Sequence, residues 1–263
     1  MKRVRLDSLL SQRGVFESRS RAAASVIAGD VLLLPGRRRA VKPGEMVPED
    51  VEVEVLAAPA YASRGGIKLA NALDALGVDA AGRLALDVGA STGGFTDCLL
   101  QRGAEHVVAL DVAYGELSWR LREDPRVTVI ERRNARFLKP AALPYAPSLI
   151  VADVSFISLA KVLPAVLACA AAAYDCLALV KPQFEVGREQ LGKGGVVREA
   201  AWRRQALVGV ASVAAALGSS VLGFAASGLP GPKGNLETFV WLGQAGRDGA
   251  IDDLELAARE VEP

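Results

Sequence analysis

Between residues 84 and 242 short apolar runs alternate with longer helical stretches, and that alternation admits few folds. The apolar runs are 84–89, 106–111, 127–131, 148–153, 176–181, 219–225 and 236–242. Helical stretches at 93–102, 157–172 and 199–217 separate several of them. Strands joined through helices run parallel, because each helix carries the chain back across the sheet. The expectation is an α/β fold, a doubly wound Rossmann-like sheet that binds ligands at the carboxyl ends of its strands.

The first of those strands ends as a cofactor site would. Leu86-Asp87-Val88-Gly89 runs into Ala90-Ser91-Thr92-Gly93-Gly94-Phe95, which turns the chain into a helix. Glycine lets a ligand approach the backbone closely. The next strand ends at Asp111, where a carboxylate can hold the two hydroxyls of a ribose. A dinucleotide site would need G-x-G-x-x-G and a pyrophosphate on the helix N-terminus. This chain has D-x-G followed by G-G, which resembles the methyltransferase form and suits S-adenosylmethionine, a cofactor without phosphate. The expected cofactor contacts are Asp87, Gly89, Ala90, Ser91, Thr92, Gly93, Gly94, Phe95, Asp111 and Asp153. Asn134, after the third strand, reads either as an adenine-side contact or as a turn residue.

Charge is unevenly placed. The chain carries +1 overall, yet residues 1–42 hold ten Lys or Arg against three acids, a net +7. A basic lobe on an acidic body suggests a polyanionic partner. Cys98, Cys169 and Cys176 lack metal-ligand or disulfide spacing, so no metal is expected and a cytoplasmic location fits. The charged N-terminus does not read as a signal peptide. Residues 162–180 are apolar enough to test against a membrane, but Asp175 and Pro164 favour a buried helix leading into a strand.

The basic segment reads as its own module. Leu6, Leu9 and Leu10 mark one face of a helix. Ser18 or Ser20 can cap a second helix that Gly29 stops, with Arg19 and Arg21 in its first turn. Cations there oppose the helix dipole but, beside free N–H groups, make a phosphate site. Val31 begins an apolar run, an Arg-rich turn and Lys42-Pro43-Gly44 follow, and Val51-Glu52-Val53-Glu54-Val55 alternates as a half-buried strand does. This helix–helix–strand pattern over residues 3–57 resembles the αL RNA-binding motif. The resemblance implies contact with structured RNA, with Arg3, Arg5, Arg19, Arg21 and Lys42 as candidate contacts. The expected division is an RNA-binding domain at 1–57, a linker at 58–63 and a catalytic domain at 64–263.

Four polar residues stand at strand ends or in apolar surroundings: Lys68 before the first strand, Asp153 and Lys181 ending the fourth and fifth, and Glu237 opening the last. The order Lys–Asp–Lys–Glu with these flanks resembles the FtsJ-like ribose 2′-O-methyltransferases. With its basic head and its YASRGGIKL, DVSFISL and KPQFEVG…GKGG segments, the chain resembles the TlyA or haemolysin A family over nearly its full length. The resemblance implies 2′-O-methylation of cytidine in ribosomal RNA from S-adenosylmethionine, with ribosomal subunits as partners and Lys68, Asp153, Lys181 and Glu237 in the catalytic tetrad. A ribose hydroxyl must lose its proton as it attacks the methyl group. Lys181 is the candidate base, because burial and a like charge from Lys68 favour a neutral amine. Asp153 and Glu237 are expected to orient the two ammonium groups.

Other features read as structural. His106 opens a strand and suits packing, and Ser155 and Ser158 have no histidine partner for a triad. The glycine-rich stretch from Gly187 to Gly195, with Arg188, Lys193 and Arg198, suggests a mobile basic loop. Phe156, Phe184 and Trp241 can stack a flipped base, although core packing is expected for each. Two other functions stay open at this point, a membrane-active haemolysin and a non-catalytic RNA-binding factor in ribosome assembly.

Overall fold

The computed structural model describes residues 3–16, 18–56, 60–231 and 233–262. Contacts divide the chain into two compact units, Met1–Ala60 and Tyr61–Pro263. Ala57, Ala58 and Pro59 of the expected linker lie outside the described residues.

In the first unit β1 (Arg3–Arg5) leads into α1 (Leu6–Gln12), and α2 (Arg19–Ala28) follows. Leu6, Leu9 and Leu10 of α1 are buried with Ala22 and Val26 of α2. Ser18 caps α2 by accepting from the Arg21 N–H, and Gly29 ends it in the left-handed conformation, φ 82°. β2 (Val31–Leu33) pairs antiparallel with β3 (Arg38–Arg39) and with β5 (Val53–Val55). β4 (Met46–Pro48) pairs instead with β1, a two-stranded ribbon that periodicity does not announce because each strand is three residues long. The unit takes in Glu45, Glu49, Asp50, Glu52 and Glu54, which lower its net charge from +7 to +2. Glu54 pairs with Arg37 and Glu45 with Arg38, so part of the basic turn is neutralised within the fold.

The second unit opens with α3 (Arg64–Leu76), a helix not among the expected elements. Two glycines in its first turn look like a loop, yet Ser63 caps it and Gly77 closes it, φ 67°. The sheet is built from β6 (Leu84–Val88), β7 (His106–Leu110), β8 (Val127–Ile130), β9 (Leu149–Ala152), β10 (Asp175–Val180), β11 (Ser220–Ala226) and β12 (Thr238–Gly243). Its order is β11-β12-β10-β9-β6-β7-β8, with β12 antiparallel to both its neighbours. The chain winds outward through β6, β7 and β8, then crosses back to place β9 on the other side of β6. The carboxyl ends of β6 and β9 therefore flank a topological switch point, where such sheets bind ligands.

Helices cover both faces. On one, α3 and α4 (Gly94–Gln101) bury Leu69, Leu73, Phe95 and Leu99. On the other, α6 (Leu163–Leu167), α8 (Ala200–Ala216) and α9 (Leu254–Val261) contribute Leu163, Leu207, Val210 and Ala258. Short helices α5 (Trp119–Arg122) and α7 (Pro182–Glu185) lie at the carboxyl edge of the sheet. The single helix expected at 157–172 is not formed. A 3₁₀ turn at Leu159–Lys161 gives way to α6, only five residues long, because Pro164 cannot donate to a preceding turn and fits only at a helix start. The last strand begins one residue after Glu237, not at it.

Candidate active site

Two cavities meet at the switch point. One, of about 390 Å³, is lined by Lys68, Gly89, Thr92, Phe95, Asp153, Lys181 and Glu237, among others. The other, about 520 Å³, is lined by Gly89, Asp111, Asn134, Asp153 and Phe156, among others. Gly89, Ser91 and Asp153 border both.

The glycine turn forms their shared floor. Gly89 adopts φ 86°, and a Cβ there would strike the backbone carbonyl of Asp153, so the close approach of the residues that follow β6 and β9 admits no side chain. Asp111 ties the turn down. Its Oδ2 accepts from the Ser91 N–H at 2.7 Å and its Oδ1 from the Ala113 N–H at 2.8 Å. Each oxygen keeps a lone pair for a ligand hydroxyl. Asn134 sits at the cavity edge and in a turn at once. It lines the second cavity while its Oδ1 accepts from the Arg136 N–H and caps a 3₁₀ turn, Ala135–Phe137.

Asp87 and Gly93 border neither cavity. Asp87 is fully buried beneath the turn, with Thr96 Oγ1 donating to its Oδ2 at 2.7 Å and its Oδ1 left without a partner. Burial, aided by the charges of Asp153 and Asp111, pushes this carboxyl up to about 7.

Lys68 comes from α3, Glu237 from the residue before β12, and Asp153 and Lys181 from the residues after β9 and β10. The Lys68 ammonium pairs with Glu237 Oε2, both side chains being buried. Lys181 Nζ lies 2.5 Å from Asp153 Oδ1 and donates to Ser155 Oγ at 2.8 Å. The four residues drawn from distant parts of the chain thus line one cavity as two carboxylate–ammonium pairs.

Three further polar residues, with no motif to mark them, hold this arrangement. Asp97 is buried on α4 and accepts from the Ala62 N–H at 2.8 Å, Arg120 at 2.6 Å and Gln101 at 3.1 Å, which fixes the entry to α3 against the glycine turn. An acid among Phe95, Cys98, Leu99 and Leu100 was its signal in the sequence. Asn235, also buried, accepts from the Val197 N–H at 2.9 Å and donates to the Gly195 carbonyl at 3.0 Å, joining the glycine-rich loop to the approach of Glu237. Glu185 accepts from Ser158 Oγ at 2.6 Å and the Leu159 N–H at 2.8 Å, tying the segments after β9 and β10 together.

His106 lies at the opposite end of its strand and stacks edge-on with Tyr145. Trp241 is half-buried and donates to Asp175. Phe156, expected in the core, is instead 93% exposed at φ 63°, with its ring 5.4 Å from that of Phe184. The reversal of the chain after β9 turns it outward to the second cavity. In the first unit Arg5 and Arg19 converge on buried Asp7 at 2.9 and 3.1 Å, holding that carboxyl well below its usual range, while Arg3, Arg21 and Lys42 are exposed.

A doubly wound sheet with a glycine turn at its switch point and a carboxylate at the end of the adjacent strand is a Rossmann-like arrangement. The chain belongs to the FtsJ-like methyltransferase family, whose model matches residues 61–244. It is 51% identical to the 16S/23S rRNA (cytidine-2′-O)-methyltransferase TlyA of Mycobacterium tuberculosis, over 92% of this chain and 90% of that one. It is 42% identical to the YqxC protein of Bacillus subtilis, over 99% and 94% of the two chains. A solved structure from Streptococcus thermophilus that carries a hemolysin name superposes with a TM-score of 0.74 at 38% identity, covering 99% of this chain and 96% of that one. Among the described residues no helix is long and apolar enough to cross a membrane.

Proposed function

We propose that the protein transfers a methyl group from S-adenosylmethionine to the ribose 2′-oxygen of cytidine in ribosomal RNA. One observation carries this reading: the Lys68–Glu237 and Lys181–Asp153 pairs line a cavity that adjoins the glycine turn through Asp153. The residues present suit the cofactor. The glycine turn borders both cavities, Asp111 has acceptor capacity for ribose hydroxyls, and the carboxylates of Asp111 and Asp153 favour a cationic ligand. When bound, that cofactor supplies an electrophilic methyl group on a sulfonium.

Lys181 is the base: its neutral amine takes the 2′-hydroxyl proton at Nζ as the oxygen attacks, and the ammonium so formed is the one that pairs with Asp153 in the structure. Asp153 and Ser155 hold its position. Lys68, fixed by Glu237, presents a positive charge that steadies the developing alkoxide. Aligning the oxygen with the methyl group contributes much of the acceleration. Phe156, exposed at the cavity rim, is placed to stack a displaced base. The first unit serves as the αL-type RNA-binding domain through Arg3, Arg5, Arg19, Arg21 and Lys42, and the reaction belongs in the cytoplasm, where ribosomal subunits are.

The test is to incubate purified ribosomal subunits with the protein and cofactor labelled in its methyl group, then hydrolyse the RNA in alkali. A 2′-O-methyl blocks cleavage at its own position, so label is expected in alkali-resistant dinucleotides. Label released as mononucleotide would mean base methylation and would overturn the proposal.

A further inference from the structure

Beyond the tetrad and the N-terminal unit, the carboxyl edge of the sheet carries an assembly that the cofactor site does not require. Arg132 follows β8 and adopts φ 54°, a conformation that costs an ordinary residue energy. Its guanidinium lies 4.2 Å from the centre of the Tyr114 ring. That ring follows β7 and is 68% exposed. The two loops are zipped together, since the Arg132 N–H donates to the Ala113 carbonyl at 3.1 Å and the Arg133 N–H to the Asp111 carbonyl at 3.0 Å. Farther along the same segment Arg136 sits over the ring of Phe137, 5.5 Å from its centre, and Phe137 is 66% exposed. Arg133 lines the second cavity and Lys139 is exposed beyond it. The acid of this segment, Glu131, is already engaged by Arg122 and the Gly115 N–H.

We infer that this rim, made of arginines layered on exposed aromatic rings, is a second RNA-binding surface, on the catalytic unit, that grips unstacked nucleotides flanking the target. The inference rests on the RNA-methylating function proposed above. Its chemistry is that of single-strand recognition: aromatic and guanidinium planes accept a base face of any sequence, while the cations meet the phosphates. An acidic peptide would use the charge but not the two rings, which stay 68% and 66% exposed beside their arginines. The cavity that the rim borders adjoins the cavity of the tetrad through Gly89, Ser91 and Asp153, so the rim lies beside the reaction site.

The experiment compares the full-length protein with two double variants, Tyr114→Ala with Phe137→Ala and Arg132→Gln with Arg136→Gln, each first checked for a native melting curve. Steady-state methylation of ribosomal subunits is measured together with equilibrium binding of a fluorescent single-stranded RNA in the presence of S-adenosylhomocysteine. Both doubles are expected to raise KM for RNA and weaken strand binding about tenfold or more, with kcat and cofactor affinity near native. The arginine double should also lower the slope of log affinity against log salt by about 1–2. Native KM and native strand binding in both doubles would overturn the inference while leaving the methyltransferase reading intact. A wild-type protein that methylates no RNA would instead count against that reading, and the binding arm would still decide whether the rim holds RNA.

Discussion

Lys181 is the residue on which the proposed chemistry turns. Its ammonium is held by Asp153 and Ser155, so removing it deletes the base without opening the core. Lys181→Ala is expected to leave cofactor and RNA affinity nearly native and to cut single-turnover methylation by roughly 10²–10⁴-fold. Lys181→Arg should rescue little, because guanidinium does not give up its proton at working pH. A native rate in the alanine variant would make Lys181 structural. Asp87 makes a separate prediction about stability. Its folded-state carboxyl titrates at about 7 against an ordinary 3.8, so between those values the folded chain keeps a proton that the unfolded chain has lost. Stability from this group is therefore complete below the ordinary value and is lost as pH rises through about 7. Asp87→Asn, isosteric and without a proton to lose, should flatten that decline when melting temperature is followed against pH. An unchanged profile would show that the decline has another source.

At the scale of elements, the site is assembled by short connections between segments that are rigid on their own. Asp97 binds the start of α3 to α4, Glu185 binds the segment after β9 to α7, and Asn235 binds the glycine-rich loop to Glu237. Each is a polar side chain with at least one hydrogen bond to a backbone group of another segment, which fixes position without adding bulk. Asn235→Ala leaves the Val197 N–H and Gly195 carbonyl unpaired and should cost about 1–3 kcal/mol in chemical denaturation. Turnover should fall while the cofactor dissociation constant stays native, because Asn235 touches the tetrad side and not the glycine turn. Loss of cofactor binding in this variant would place the loop on the wrong side of the site.

For the whole molecule, the division into two units separates the basic segment from the chemistry. Arg21 and Lys42 are exposed on the first unit, and replacing both with Ala should reduce the salt dependence of subunit binding by about 1–2 in slope, with cofactor affinity unchanged in calorimetry. An unaltered slope would mean that these two cations do not meet phosphate. Much of this molecule was written locally. The alternation of strands and helices, the glycine turn after β6, Asp111 at the end of β7 and the capped α2 are all legible because each depends on neighbours within a few residues, through periodicity, capping or positive φ. The short pairing of β1 with β4 left no such mark, and neither did α3, whose opening Arg64-Gly65-Gly66 reads as a turn until Tyr61 is seen to fill the space that a side chain at Gly66 would need. Nor could spacing tell that Phe156 faces solvent while equally apolar neighbours are buried, since that depends on how the chain reverses after β9. The pairing of Lys68 with Glu237, 169 residues apart, is of the same kind. Sequence by itself determined which groups are available and which strands end in them. Tertiary structure alone decided which ammonium meets which carboxylate, because ion pairing depends on distance in space and the crossover at the switch point brings those distant strand ends together.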